Sequence, residues 1–167
     1  SYLNKGKANE WIIWSSYGIY IEDISKGQLK LIDNTLKTRF VFPGKYNSFF
    51  VLPYNINDGI IKFTRDQKRI KIPVPVDAQL IRSIIEDSEG NVWIAALGEG
   101  VYCLKNNKVL RYFDIKNAHG LLQDHERNIW VSTQSDGIYE INHDILNQTH
   151  YDKSCFNNSG INQLYEC

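Results

Sequence analysis

The sequence has no surplus of charge: 19 Lys plus Arg balance 19 Asp plus Glu. A chain without net charge has no long-range field to draw in phosphates or anionic lipid, so nucleic acid is a poor partner for it. Long apolar runs are also missing. None approaches the ~18 residues that cross a bilayer, so no membrane contact is expected of this segment. The opening stretch SYLNKGKANEW lacks the apolar core of a signal peptide. Cysteine is scarce. Cys103, Cys155 and Cys167 are odd in number and widely spaced, which fits neither a disulfide framework nor a zinc site. Helical periodicity is absent from every window of about eleven residues or more.

Catalytic signatures are equally thin. His119, His125, His143 and His150 form no pair at metal-ligand spacing, so no metal and no cofactor is expected. No Gly-flanked Ser suggests a nucleophile elbow. Glu86 and Asp87 are adjacent carboxylates, but neighbouring strand residues point to opposite faces, and Asp87 reads as a turn cap. The expectation is a binding protein and not an enzyme.

What the chain does contain is a repeat. IRSIIEDSEGNVWIAALGEGVYCL (81–104) resembles AHGLLQDHERNIWVSTQSDGIYEI (118–141). In both, an Asp precedes a Trp by six residues: Asp87 and Trp93, then Asp124 and Trp130. In both, a Gly follows the Trp by seven and a Tyr by nine (Gly100 and Tyr102, Gly137 and Tyr139). Trp11, Gly18 and Tyr20 keep the same two offsets. A fourth, degraded copy puts Phe50 in the Trp place and Gly59 nine residues on. The glycines are 41, 41 and 37 residues apart, and INQLYEC (161–167) matches IRSIIED in register as the start of a fifth copy.

Each unit holds short runs of Ile, Val, Trp, Tyr and Phe parted by Gly, Asn, Asp and Ser, which reads as strands joined by hairpins. In the third copy these fall at about 80–86, 91–96, 100–105 and 108–113. Four-stranded units of ~40–45 residues are the period of β-propeller blades. NVWIAA and NIWVST are apolar at adjacent positions, as a strand covered on both faces would be. The indole N–H of each Trp then needs a buried partner. Asp87-Ser-Glu-Gly90 predicts a type I turn closed by a Gly at positive φ. In Asp124-His-Glu-Arg127, Arg127 takes that left-handed place at a cost of about 1 kcal/mol. The Gly at 18, 59, 100 and 137 opens the third strand where a Cβ would not fit. The basic stretch KFTRDQKRIKI (62–72) reads as a hairpin with a solvated outer strand.

IIEDSEGNVWIAALGEGVYCL and NIWVSTQSDGIYEI together resemble the two-component regulator propeller repeat. The resemblance implies an all-β chain of four-stranded antiparallel blades. Three full blades at about 38–72, 79–113 and 117–151 and two partial ones, at about 9–33 and from 161–167, would belong to a larger, typically seven-bladed ring. It also implies the sensor half of a bacterial two-component system, on the periplasmic or extracytoplasmic side of the membrane, responding to a glycan fragment. The partners would be an oligosaccharide and either the remaining blades of the parent protein or a second copy. A smaller four-bladed ring is the competing arrangement, with Ile161–Glu166 as the inner strand of the blade that holds Trp11. A protein-interaction scaffold and, less favoured, a propeller enzyme like streptogramin lyase are the competing functions.

In such a ring the first strand of each blade lines the channel. Its second position is Arg39, Arg82, His119 and Asn162 in successive copies. The loops between second and third strands carry Tyr17, Tyr54, Asn55, Asn57, Asp58, Glu99, Gln134 and Asp136. Aromatic plates beside Asn, Asp and Arg suit a sugar, whose C–H faces stack on Tyr while polar groups bond its hydroxyls. Loops on a rigid scaffold are where binding resides.

Overall fold

A computed structural model describes residues 2–5, 10–55, 57, 59–144 and 147–156. All long elements are strands, grouped in four separate four-stranded antiparallel sheets. The first holds β1 (Tyr2–Lys5), β2 (Glu10–Ser15), β3 (Gly18–Asp23) and β4 (Gln28–Asp33). The second holds β5 (Thr38–Pro43), β6 (Phe49–Pro53), β7 (Ile60–Phe63) and β8 (Arg69–Ile72). The third holds β9 (Ile81–Glu86), β10 (Val92–Ala96), β11 (Gly100–Lys105) and β12 (Lys108–Phe113). The fourth holds β13 (Ala118–Gln123), β14 (Ile129–Thr133), β15 (Ile138–Ile141) and β16 (Gln148–Tyr151). Each sheet is a meander in chain order, which is the strand plan of a propeller blade. The chain divides into two compact units, Ser1–Gln79 and Leu80–Cys167, of two sheets each.

The first sheet has an inner strand of its own. β1 pairs with β2 from Tyr2 opposite Trp14 to Lys5 opposite Trp11, so this blade begins before residue 9. In the four-bladed alternative that place was assigned to Ile161–Glu166, which lie outside the described residues. YLNK carries none of the Ile-rich, Glu-Asp pattern of β9 (IRSIIE followed by Asp87), and that is why the sequence did not reveal it.

Burial follows the expected layering. β6 and β10 are buried at every position, as second strands covered on both faces must be. In the first unit, Ile12, Trp14 and Ile19 pack with Val41, Phe49, Val51, Ile61 and Phe63 of the next sheet. In the second unit, Trp93, Ala95, Val101 and Cys103 pack with Leu121, Ile129, Val131 and Ile141. The outer strands β4, β8 and β12 are mostly exposed. The basic stretch 62–72 therefore lies on a hairpin ending in a solvated strand. Its Arg69 reaches the buried carboxylate of Asp33, which also caps the amides of Thr35 (2.7 Å) and Leu36 (3.2 Å).

The Asp-to-Trp spacing has a specific cause. Asp87 Oδ1 accepts from the amides of Glu89 (2.9 Å) and Asn91 (2.8 Å). Its Oδ2 accepts from Asn91 Nδ2 and from the indole Nε1 of Trp93, both at 2.8 Å. One carboxylate thus closes the turn and satisfies the buried indole. Asp124 repeats the arrangement with Asn128 (2.8 Å) and Trp130 (2.7 Å). In the degraded copy the indole is replaced by Phe50, which has no N–H, and Gly44 stands where the Asp would be. A Cβ on Gly44 would run into Ser48 Oγ and lie 3.2 Å from the Phe50 ring. Donor and acceptor are therefore missing together.

The turn keeps its shape in all three copies. Asn47, Gly90 and Arg127 occupy the same place with φ of 60°, 78° and 71°, so Arg127 is left-handed as expected. The glycines that open the third strands all have positive φ. A Cβ would lie 2.5 Å from Asp33 O at Gly18, 2.9 Å from Ile72 O at Gly59 and 2.6 Å from Phe113 O at Gly100. In each case the obstacle is the carbonyl ending the fourth strand.

Candidate functional site

The second position of the first strand is a bulge in three of the four sheets. Thr38 and Phe40 face Pro53 and Leu52, so Arg39 has no partner of its own. Ser83 and Ile81 face Ala95 and Ala96, which leaves Arg82 extra. Ala118 and Gly120 face Thr133 and Ser132, which leaves His119 extra. A bulge removes one residue from the ladder and re-aims its side chain. β1 has no bulge. A second recurring tie holds the neighbouring loops: the residue after the second strand donates its amide to the residue before the first strand. Tyr54 bonds Lys37 O (2.8 Å), Leu97 bonds Leu80 O (2.9 Å) and Gln134 bonds Asn117 O (3.1 Å).

In the first unit these ties build a cleft of about 640 Å³ lined by Ser15, Ser16, Tyr17, Lys37, Arg39 and Tyr54, with Trp14 and Thr38 behind them. That size lies within the range of about 300–1,000 Å³ typical of ligand sites. Tyr17 and Tyr54 are 81% and 66% exposed, so their rings are free to stack. Tyr17 sits in the β2–β3 turn, its amide bonded to Ser15 Oγ (3.1 Å). Arg39 donates Nη1–H to Gln79 O at 3.0 Å, and its guanidinium lies 5.1 Å from the Phe40 ring centroid. Three expected residues, Tyr17, Arg39 and Tyr54, therefore share one cleft. Asn55 does not line it; its Oδ1 accepts from Asn57 N (3.2 Å) and shapes the loop. Asp58 and Asn162 lie outside the described residues.

The second unit uses its expected residues differently. Arg82 donates to Ile81 O (3.2 Å). Glu99 presents its carbonyl to Tyr112 (2.8 Å). Asp136 accepts from Tyr139 (2.6 Å), and burial together with this bond pushes the Tyr139 phenol up to about 12. Asp136 is thus built into the loop. His119 has a buried Nδ1 without a hydrogen-bond partner among the described residues. Gln134 is exposed. A cavity of about 190 Å³ in this unit is lined by, among others, Glu89, Arg111, Arg127 and His143. The His143 imidazole bridges Asp144 (3.0 Å) and Glu89 (2.9 Å), and those two bonds raise its pKa.

Sequence reasoning missed Lys37, Ser15 and Ser16 in the first cleft. Lys37 was detectable in principle, since it immediately precedes the first strand and the loop after the second strand is tied to it. Among the described residues, no group of three or more His, Cys, Asp or Glu is placed to hold a metal. Cys103 is buried, and desolvation pushes its thiol up to about 12.

Residues 76–98 match the two component regulator propeller family. No curated protein matches the chain. Among solved structures, a streptogramin B lyase superposes with a TM-score of 0.71 at 14% identity, covering 90% of this chain and 53% of the lyase. A virginiamycin B lyase from Staphylococcus aureus gives 0.66 at 14% identity, covering 90% and 54%. A structure described as the extracellular domain of a hybrid two component system from B. thetaiotaomicron gives 0.63 at 18% identity, covering 96% of this chain and 23% of that one. The chain spans about half the length of the lyases and under a quarter of the sensor domain. At these identities the likeness establishes fold. The chain is a run of four-stranded β-propeller blades, and the stretch that matches the two component regulator propeller model lies in its third sheet.

Proposed function

We propose that this chain is a ligand-sensing segment of a bacterial two-component sensor, on the extracytoplasmic side, and that it takes a glycan fragment in the cleft of its first unit. The observation that carries the reading is the pair of exposed rings, Tyr17 and Tyr54, beside a bulge-presented Arg39. Stacking plates and a donor that line the same cleft suit a pyranose. The family match in the third sheet and the extracellular sensor domain among the similar structures support the placement. The cleft offers hydroxyls, cations and rings, groups that suit binding of a ligand. The remaining blades of a parent protein or a second copy would complete the ring.

The test is a glycan array followed by calorimetric titration of the hits. Tyr17→Ala and Tyr54→Ala should each weaken binding about tenfold, as loss of a stacking contact of ~1 kcal/mol or more would. A silent array together with a protein captured at the same cleft would favour the scaffold reading and refute this one.

A further inference from the structure

The cleft of the first unit is lopsided in charge. Lys37 and Arg39 line it, and no carboxylate does among the described residues. Neither cation makes an ion pair with a described acid, although the chain as a whole is neutral. Two positive charges around one cleft, with no described acid paired to either, cost self-repulsion that a ligand could relieve.

Hydrogen-bonding character points the same way. A neutral sugar is chiefly a set of hydroxyls and is normally met by amides and carboxylates that accept from them. Here the amide that the loop could offer is engaged, since Asn55 Oδ1 accepts from Asn57 N. The Ser15 hydroxyl oxygen already accepts from Tyr17 N. The Thr38 hydroxyl donates to Leu36 O (3.3 Å). The donors, by contrast, are in excess. A guanidinium has five N–H groups, and among the described residues Arg39 bonds one protein oxygen, Gln79 O. That bond and the Phe40 ring hold the fork in one orientation, so it can meet a planar or branched anion with little further loss of freedom. Lys37 brings a mobile point charge from the other side of Thr38, and its backbone is held by the tie from Tyr54.

We infer that the ligand of this cleft is an acidic saccharide, a sugar ring bearing a carboxylate or sulfate group that Arg39 receives with Lys37 beside it, while Tyr17 and Tyr54 stack on the ring. This rests on the glycan reading above and names the class of glycan.

The experiment titrates the full chain calorimetrically with short oligogalacturonate, with the same oligomer fully methyl-esterified, and with a sulfated galactan oligomer. The ester keeps the rings and removes the charge; the sulfated oligomer separates sulfate from carboxylate. Binding of at least one anionic oligomer, at least tenfold weaker for the ester, is expected. Arg39→Gln and Lys37→Gln, each checked for an unchanged circular dichroism spectrum, should lower the affinity for the anionic oligomer about tenfold and flatten its salt dependence. Equal affinity for acid and ester, unchanged in both variants but lost in Tyr17→Ala, would overturn the charge inference and leave the glycan reading standing. No binding of any of the three oligomers, with a silent array, would overturn both.

Discussion

Removing the Asp87 carboxylate tests the device that holds each full repeat together. The side chain is almost fully buried and takes four hydrogen bonds, from Glu89 N, Asn91 N, Asn91 Nδ2 and Trp93 Nε1. In Asp87→Ala, three donors in buried residues, Asn91 N, Asn91 Nδ2 and Trp93 Nε1, lose their acceptor. Each buried donor left unsatisfied costs about 1–3 kcal/mol. The substitution also removes a carboxylate that was costly to bury, so the net loss is about 3–4 kcal/mol. That is a large part of the ~5–15 kcal/mol typical of a domain. The decisive comparison is a double-mutant cycle with Trp93→Phe, followed by urea unfolding read by far-ultraviolet circular dichroism. Once the indole N–H is gone, deleting the carboxylate strands one donor fewer. The double variant should therefore be about 1–2 kcal/mol more stable than the sum of the single losses predicts. The Gly44 and Phe50 copy is the same double change already present in the chain. Losses that add within about 0.3 kcal/mol would refute the reasoning, because the Asp and the indole would then be contributing independently.

Three further outcomes follow from the turns and the titrating groups. Gly100→Ala should cost about 3 kcal/mol in urea unfolding, because its Cβ meets Phe113 O at 2.6 Å on a backbone with φ of 130°, whereas Gly90→Ala, at φ 78° with open space around it, should cost only about 1 kcal/mol. Arg127→Gly should be about 1 kcal/mol more stable than Arg127→Ala in the same assay, since both lose the Arg side chain and only Gly relieves the left-handed strain; equal stabilities would refute the assignment. For Asp124, burial raises the carboxyl pKa, but the bonds from Trp130, Asn128 and Glu126 outweigh it and the net value is lowered. Its stabilisation is therefore present above the unfolded value near about 4 and is lost as pH falls through the lower folded value, so the stability gap between wild type and Asp124→Asn should be full at neutral pH and close in acid.

The frame of the fold was legible because its restrictions act on residue type. An indole that must be buried needs an acceptor at a fixed reach, a turn that closes with positive φ favours Gly or Asn, and a carbonyl packed against the third strand excludes a Cβ. Those three demands write Asp, Trp and Gly at constant offsets, and the strands of the third sheet fell within one residue of their expected bounds. What was not legible lacked such a demand. β1 pairs through its backbone, and nothing in YLNK had to match the other inner strands. Lys37 enters the cleft through a backbone tie from Tyr54, which any residue type at either end could make. Asp136 was a reasonable ligand residue by position, but its carboxylate is taken by Tyr139, a pairing visible only once the two strands and their turn are assembled.

The bulge joins these two sets of observations. In three sheets the inner strand spends one residue outside its ladder, and the ladder closes again on either side of it. Sheet stability then depends little on which side chain stands there, since neither its backbone pairing nor a core contact is at stake. Arg39, Arg82 and His119 accordingly differ, while the Asp, Trp and Gly a few residues away hold their places wherever the turn and indole are kept. A scaffold that separates positions in this way can change what it binds blade by blade without disturbing what folds it. The same separation explains why two cations can converge with Lys37 and Arg39 in one cleft. No structural demand requires charge at either position, and the anionic ligand proposed above would supply a reason for it.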